Sequence, residues 1–221
     1  MTEHATPMRG WGAEALRLML VTDDALAGGR PLEEIVAAAV QGGVRCVQLR
    51  EKHLGTRAFV ARGRGLKALL APRRVPLVIN DRVDVALACG ADGVHLGQSD
   101  MAVEDARRLL PPAVFIGWSV ETLDDVRRAA ALPLDYLGTS PVFATTTKLD
   151  AAPAWGLDGL RAVRAATALP LVAIGGLHAG NAAQVLAHGA DGIAVVSAIC
   201  SAADPEAAAR ELALAVAEGA R

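Results

Sequence analysis

Aromatic residues are scarce in this sequence: only 3% of its 221 residues are Phe, Trp or Tyr. That is too few to build the stacking platforms on which single-stranded nucleic acids bind. There is no excess of charge of one sign either. The 22 Lys and Arg residues face 24 Asp and Glu, a formal net charge of −2, which excludes a polybasic protein that holds nucleic acid or a membrane surface through its charge. Cysteine is equally sparse. Cys46, Cys89 and Cys200 are odd in number, far apart and set among apolar residues, so they read as reduced core thiols of a cytoplasmic protein rather than a disulfide framework. Nor is there an unbroken membrane-length apolar run. The stretch from Ala165 to Ala190 has no Asp, Glu, Lys or Arg, but Pro170, Gly175, Gly176, His178, Asn181, Gln184 and His188 interrupt it. The first residues lack a basic segment followed by an apolar one, so no signal peptide is expected, and residues 1–9 are expected to form a flexible tail.

What remains is globular: 52% hydrophobic and 21% charged, with a length suited to one large domain over residues 10–221. Short β-branched runs alternate with Ala- and Leu-rich amphipathic runs along the chain. Strands are predicted at residues 16–21, 44–49, 76–79, 93–96, 114–117, 134–138, 171–174 and 192–196. Helices are predicted at 32–41, 56–70, 82–89, 102–109, 123–131, 157–166, 179–188 and 205–218. Independent punctuation supports the helix ends. Asp204 before Pro205 reads as an N-cap with Pro in the first turn, Thr122 with Asp125 as a capping box, and Gly90 and Gly189 as C-terminal caps. The hexad from Cys89 to Val94 also recurs, nearly unchanged, from His188 to Ile193. Eight βα units with an echo half an array apart predict an α/β fold, a single-domain (β/α)8 TIM barrel.

Such a barrel places its active site after the C-terminal ends of the strands. The polar residues there are Gln48, Arg50, Glu51 and Lys52 after the second strand, Asn80 and Asp81 after the third, and Gly97, Gln98 and Asp100 after the fourth. Ser119 follows the fifth, Thr139, Ser140 and the run Thr145-Thr146-Thr147-Lys148 the sixth, Gly175-Gly176 the seventh, and Val196-Ser197 the eighth. The glycine pair with Ser197 matches the barrel phosphate site, in which free backbone N–H groups and a helix terminus meet an anion; a plain tight turn is the other reading. Asp81 and Asp100 have two readings as well. They either cap the helices that follow, or they converge as hard oxygen ligands for Mg2+, which usually accompanies phosphate. Arg50, Lys52 and Lys148 add three cations, more than a monophosphate needs and suited to a diphosphate. The segment from Thr139 to Trp155 exceeds an ordinary βα connection and is expected to be a lid or binding loop. No P-loop, His-Glu-x-x-His, Cys-x-x-Cys or nucleophile elbow is present. His95 reads as a core histidine, and His178 and His188 as helix-terminal ones.

Seven segments, in order and correctly spaced, resemble the thiamine-phosphate synthases. They are Gln48-Leu49-Arg50-Glu51-Lys52, residues 80–85, residues 93–100, Ile116-Gly117-Trp118-Ser119, Thr145-Thr146-Thr147-Lys148, Ala173-Ile174-Gly175-Gly176 and residues 195–199. The resemblance implies a barrel enzyme, a transferase. It would join 4-amino-2-methyl-5-hydroxymethylpyrimidine diphosphate to a thiazole phosphate with Mg2+ as cofactor, giving thiamine phosphate and pyrophosphate. Carried over by resemblance, Gln48, Leu49, Arg50, Glu51, Lys52, Asn80, Ser119 and Lys148 belong to the pyrimidine-diphosphate site. Thr145, Thr146, Thr147, Gly176, Val196 and Ser197 hold the thiazole phosphate, and Asp81 and Asp100 bind Mg2+. Arg50, Lys52, Ser119 and Lys148 are the residues assigned to catalysis.

Two alternatives stand beside this reading. A thiazole tautomerase of similar sequence would use a histidine after the strand-five serine, but Ser119 is followed by Val120, Glu121 and Thr122. A noncatalytic phosphate sensor on the same barrel would not need Mg2+, Arg50, Lys52 and Lys148 together. The expected partners are small-molecule substrates, with no nucleic acid and no membrane. The sequence leaves the oligomeric state open.

Overall fold

The computed structural model describes residues 10–145 and 153–219; the expected tail at 1–9 lies outside them. Eight parallel strands close into a barrel in sequence order. They are β1 (Leu18–Val21), β2 (Cys46–Leu49), β3 (Leu77–Asn80), β4 (Gly93–Leu96), β5 (Phe115–Val120), β6 (Tyr136–Thr139), β7 (Leu171–Ile174) and β8 (Gly192–Val195). β1 seals the ring by pairing with β8 through Leu18 and Ile193, Met19 and Ala194, and Leu20 and Val195. The connecting helices are α1 (Leu32–Gln41), α2 (Thr56–Leu70), α3 (Val83–Cys89), α4 (Val103–Leu109), α5 (Leu123–Ala129), α6 (Gly156–Ala166), α7 (Ala179–Ala187), α8 (Ser197–Cys200) and α9 (Pro205–Gly219). No helix among the described residues is long and apolar enough to cross a membrane.

Because side chains alternate along a strand, each strand serves two cores. Outward residues such as Leu20, Val47, Leu49, Ile79, Val94, Ile116 and Leu137 pack under the helices. Inward residues, among them Met19, Cys46, Val78, Phe115, Tyr136, Val172 and Ala194, fill the barrel. The interior matches large residues to glycines. A Cβ at Gly93 would lie 2.4 Å from the Phe115 ring, one at Gly117 2.1 Å from the Tyr136 ring, and one at Gly138 2.9 Å from His95. Two of the scarce aromatics, Phe115 and Tyr136, therefore stand where neighbouring strands leave room for them.

The repeated hexad has a structural role. Asp92 accepts the Leu77 N–H at 2.9 Å at the start of β3 and pairs with Lys67. Asp191 accepts the Leu171 N–H at 2.8 Å at the start of β7 and pairs with Arg164. Asp135 makes the same bond to Ile116 N at 2.8 Å. These carboxylates pin the strand starts at the barrel end opposite the candidate site.

The predicted caps form at Asp204, which accepts the Ala207 N–H at 3.0 Å, and at Thr122 with Asp125, which form a reciprocal capping box. Gly90 takes the left-handed conformation that a C-terminal cap needs, and Gly189 also has a positive φ. Many boundaries shift by one or two residues from expectation, and two differences are larger. β5 runs on to Val120 instead of ending at Gly117, and Ser197–Cys200 forms a short additional helix before α9.

Candidate active site

A cavity of about 900 Å³ opens at the C-terminal ends of the strands. Its walls include Gln48, Arg50, Lys52, Asn80, Asp81, Asp100, Ser119, Thr145, Gly176, Val196 and Ser197. These are residues singled out from the sequence, drawn together from six of the strand ends and the segment after β6.

Arg50 is held by the end of β1. Its N–H donates to Thr22 Oγ1 at 3.1 Å, and its guanidinium meets Asp23 Oδ2 at 3.1 Å. The Thr22 N–H in turn bonds the Gln48 carbonyl, so the loop after β2 is fastened to its neighbour. Lys52 Nζ lies 2.6 Å from Asp81 Oδ2. Asp81 has a left-handed backbone, φ 64°, which Asp tolerates better than most L-residues. Asp100 accepts the Gly97 N–H at 2.6 Å. Its pKa is raised because burial disfavours the carboxylate and Asp81 hydrogen-bonds to it and repels its charge, against the opposing pull of the Gly97 N–H and Lys52.

The capping reading of the two aspartates fails on this geometry. Arg82 occupies the N-cap of α3 and Ala102 that of α4, neither helix with a side-chain cap bond. The two carboxylates face each other instead. Two adjacent hard oxygen ligands fit Mg2+, which keeps waters and substrate oxygens in its remaining positions. Among the described residues no group of three or more His, Cys, Asp or Glu could enclose a cation without such help.

On the far side of the cavity, Gly175 and Gly176 have φ values of 105° and 66°. A Cβ on Gly175 would sit 2.6 Å from the Pro141 Cβ, and one on Gly176 2.8 Å from the Ala144 carbonyl oxygen. Glycine is required there by both backbone and contact. The pair does not itself open α7: His178 is the N-cap and forms a capping box with Asn181, whose amide also donates to Gly176 O at 3.0 Å. Ser197 begins the short helix α8, the extra helix that barrels often place after the eighth strand.

Several expected site residues lie elsewhere. Leu49 is fully buried beneath the helices, because it alternates with the inward Gln48, and it does not line the cavity. The Glu51 side chain, only 5% exposed, turns away to an ion pair with Arg62. Neither side chain is placed to touch a substrate. Thr146, Thr147 and Lys148 lie outside the described residues.

His95 is the core histidine expected, and it joins the cavity floor to Tyr136, a residue not singled out from the sequence. His95 Nδ1 lies 2.8 Å from the Tyr136 hydroxyl and Nε2 2.9 Å from Ser119 Oγ, so the imidazole is satisfied yet faces the cavity. Surrounding protein pushes its pKa down to about 4, with the Asp81 charge pulling weakly the other way. The available signal was the alternation on β4, which turns His95 inward. Gln98 also contributes: its amide donates to Ser119 O at 2.6 Å and accepts from Arg128 at 3.1 Å, tying the loop after β4 to β5.

Residues 18–199 match the thiamine monophosphate synthase family. The chain belongs to that family. A thiamine-phosphate synthase of Albidiferax ferrireducens is 70% identical over 90% of this chain and 91% of its own length. One from Vibrio campbellii is 51% identical over 90% of this chain and 97% of its own. Among solved structures, the thiamine phosphate pyrophosphorylase of Pyrococcus furiosus superposes with a TM-score of 0.87 at 39% identity, covering 95% of this chain and 99% of that one.

Proposed function

We propose that this chain is a thiamine-phosphate synthase, a transferase that joins the pyrimidinylmethyl group of 4-amino-2-methyl-5-hydroxymethylpyrimidine diphosphate to the nitrogen of a thiazole phosphate and releases pyrophosphate. The observation that supports it is the division of one cavity. Paired carboxylates and the cations Arg50 and Lys52 lie at the ends of β2 to β4, and the glycine-lined turn with Ser197 lies across the barrel at β7 and β8. The first half suits a diphosphate and the second a monophosphate.

The electron-rich aminopyrimidine can expel the diphosphate to leave a carbocation-like methylene, which the thiazole nitrogen attacks. No general base is needed for that bond change. The protein instead stabilises charge leaving on the diphosphate, excludes water and aligns the rings. Arg50, Lys52 and Lys148 take the diphosphate charge, with Asp23 and Thr22 fixing where Arg50 points. Gln48, Asn80 and Ser119 orient the pyrimidine. Gly176, Val196 and Ser197, with Thr145, Thr146 and Thr147, hold the thiazole phosphate. Asp81 and Asp100 would hold Mg2+, which when bound supplies further charge neutralisation to the leaving group.

The deciding assay mixes purified protein with both substrates and Mg2+ and measures pyrophosphate and thiamine phosphate. Equimolar formation of the two is expected. Binding of either substrate without turnover would overturn the proposal in favour of a sensor.

A further inference from the structure

The line of side chains beneath Ser119 has a direction. Tyr136 lines the cavity floor yet is only 1% exposed, and burial keeps its proton in place by pushing the pKa well up. A buried hydroxyl proton without an acceptor is costly. Its hydrogen-bond partner among the described residues is His95 Nδ1, at 2.8 Å. Tyr136 therefore donates to Nδ1, and a neutral imidazole whose Nδ1 accepts carries its single proton on Nε2. That N–H donates to Ser119 Oγ, 2.9 Å away. The serine proton cannot point back at a donor, so it is directed into the cavity that Ser119 lines. An imidazolium would also donate from Nε2, so the role of Ser119 does not turn on the titration of His95.

We propose that Tyr136 and His95 are positioning residues that leave the Ser119 hydroxyl proton free for a bound ring, so that the site favours a ring with an acceptor nitrogen at that point over one presenting C–H there. The glycines support the same arrangement. Gly117 leaves room for the Tyr136 ring and Gly138 for His95, and a Cβ at either would collide with the chain of donors. The choice of ring rests on the pyrimidine reading given above; the direction of the hydrogen bonds does not.

Two measurements test the proposal. In 15N-histidine-labelled protein, long-range proton–nitrogen NMR identifies which ring nitrogen carries the proton. The His95 signal is assigned by its loss in His95→Gln or, should that variant fail to fold, by its contacts with the Tyr136 ring. Protonated Nε2 with bare Nδ1 is expected, and a proton on Nδ1 with bare Nε2 overturns the proposal. The second measurement compares binding of the pyrimidine diphosphate with its two pyridine analogues, each lacking one ring nitrogen. One analogue should bind the wild-type protein about 10-fold more weakly than the parent, and Ser119→Ala should erase that difference. A penalty unchanged in Ser119→Ala, or no penalty for either analogue, overturns the selection of a ring nitrogen. If the parent diphosphate itself does not bind, the functional reading fails with the choice of ring, and the NMR result still decides the direction of the hydrogen bonds.

Discussion

Replacing Asp81 by Asn separates metal binding from structural support, because the structure gives the carboxylate little to do for stability. It caps no helix. Its one ion pair among the described residues joins side chains 45% and 25% exposed, Lys52 and Asp81 respectively, and such pairs contribute about 0–1 kcal/mol. Asn keeps the shape and tolerates the left-handed backbone at φ 64°. It also removes the like charge beside Asp100. For a domain of this size a loss of about 1 kcal/mol lowers the melting temperature by roughly 2–4 °C, so Asp81→Asn should melt within about 4 °C of the wild type. Its pyrophosphate-release rate should nevertheless fall on the order of 10²- to 10³-fold, the usual consequence of losing one electrostatic contact to a developing charge. Asp81→Ala is the contrasting variant. Ala in the left-handed region costs roughly 1–2 kcal/mol more, so it should lose a similar activity and melt several degrees lower still. The assay is pyrophosphate release across a Mg2+ titration, beside calorimetry of the same samples. Should Asp81→Asn keep wild-type kcat/KM at limiting Mg2+, the assignment of Asp81 to the metal is wrong. A collapse in melting temperature with normal activity in the surviving protein would show a structural role instead.

Three other outcomes follow from the barrel interior and its mouth. Gly117→Ala should destabilise by about 1–3 kcal/mol, since the new Cβ would fall 2.1 Å from the Tyr136 ring; adding Tyr136→Leu should recover part of the loss in a thermal melt, and no recovery would locate the clash elsewhere. His95 binds its proton with a pKa of about 4 when folded and about 6.5 when unfolded. The unfolded chain therefore takes up the proton first, and stability falls as pH drops from 6.5 towards 4, then levels off for this group. Urea unfolding at pH 7 and pH 5 should show wild type losing on the order of 2 kcal/mol more than His95→Gln; equal losses would refute the shift. Ser197→Ala should raise KM for the thiazole phosphate roughly 10-fold with little effect on that for the pyrimidine diphosphate, and equal penalties would argue against the divided cavity.

The barrel was legible because its signals are local. Period-two and period-3.6 patterning, the cap at Asp204, the box at Thr122 and Asp125, and the glycines after α3 and α7 each act within a few residues. Placement of polar residues after apolar runs was enough to find Arg50, Lys52, Asp81, Asp100 and Ser197, since the closed fold sends every strand end to one mouth. The same alternation, applied strictly, would also have turned Leu49 away from the cavity. The motif around it drew Leu49 and Glu51 into the site, where the structure gives them to the outer core and to Arg62.

Spacing along one strand or helix is enough to set the fold class, the order of the units and the end of the barrel where chemistry belongs. Which side chains meet depends on the assembled barrel. By spacing alone Asp81 and Asp100 read more readily as two separate caps; the loops after β3 and β4 bring their carboxylates together. Tyr136, His95 and Ser119 stand on β6, β4 and β5, far apart in the chain, and fall into line only through the register of three neighbouring strands. Their contact depends on the space left by Gly117 and Gly138, a steric condition set jointly by strands that no local pattern relates.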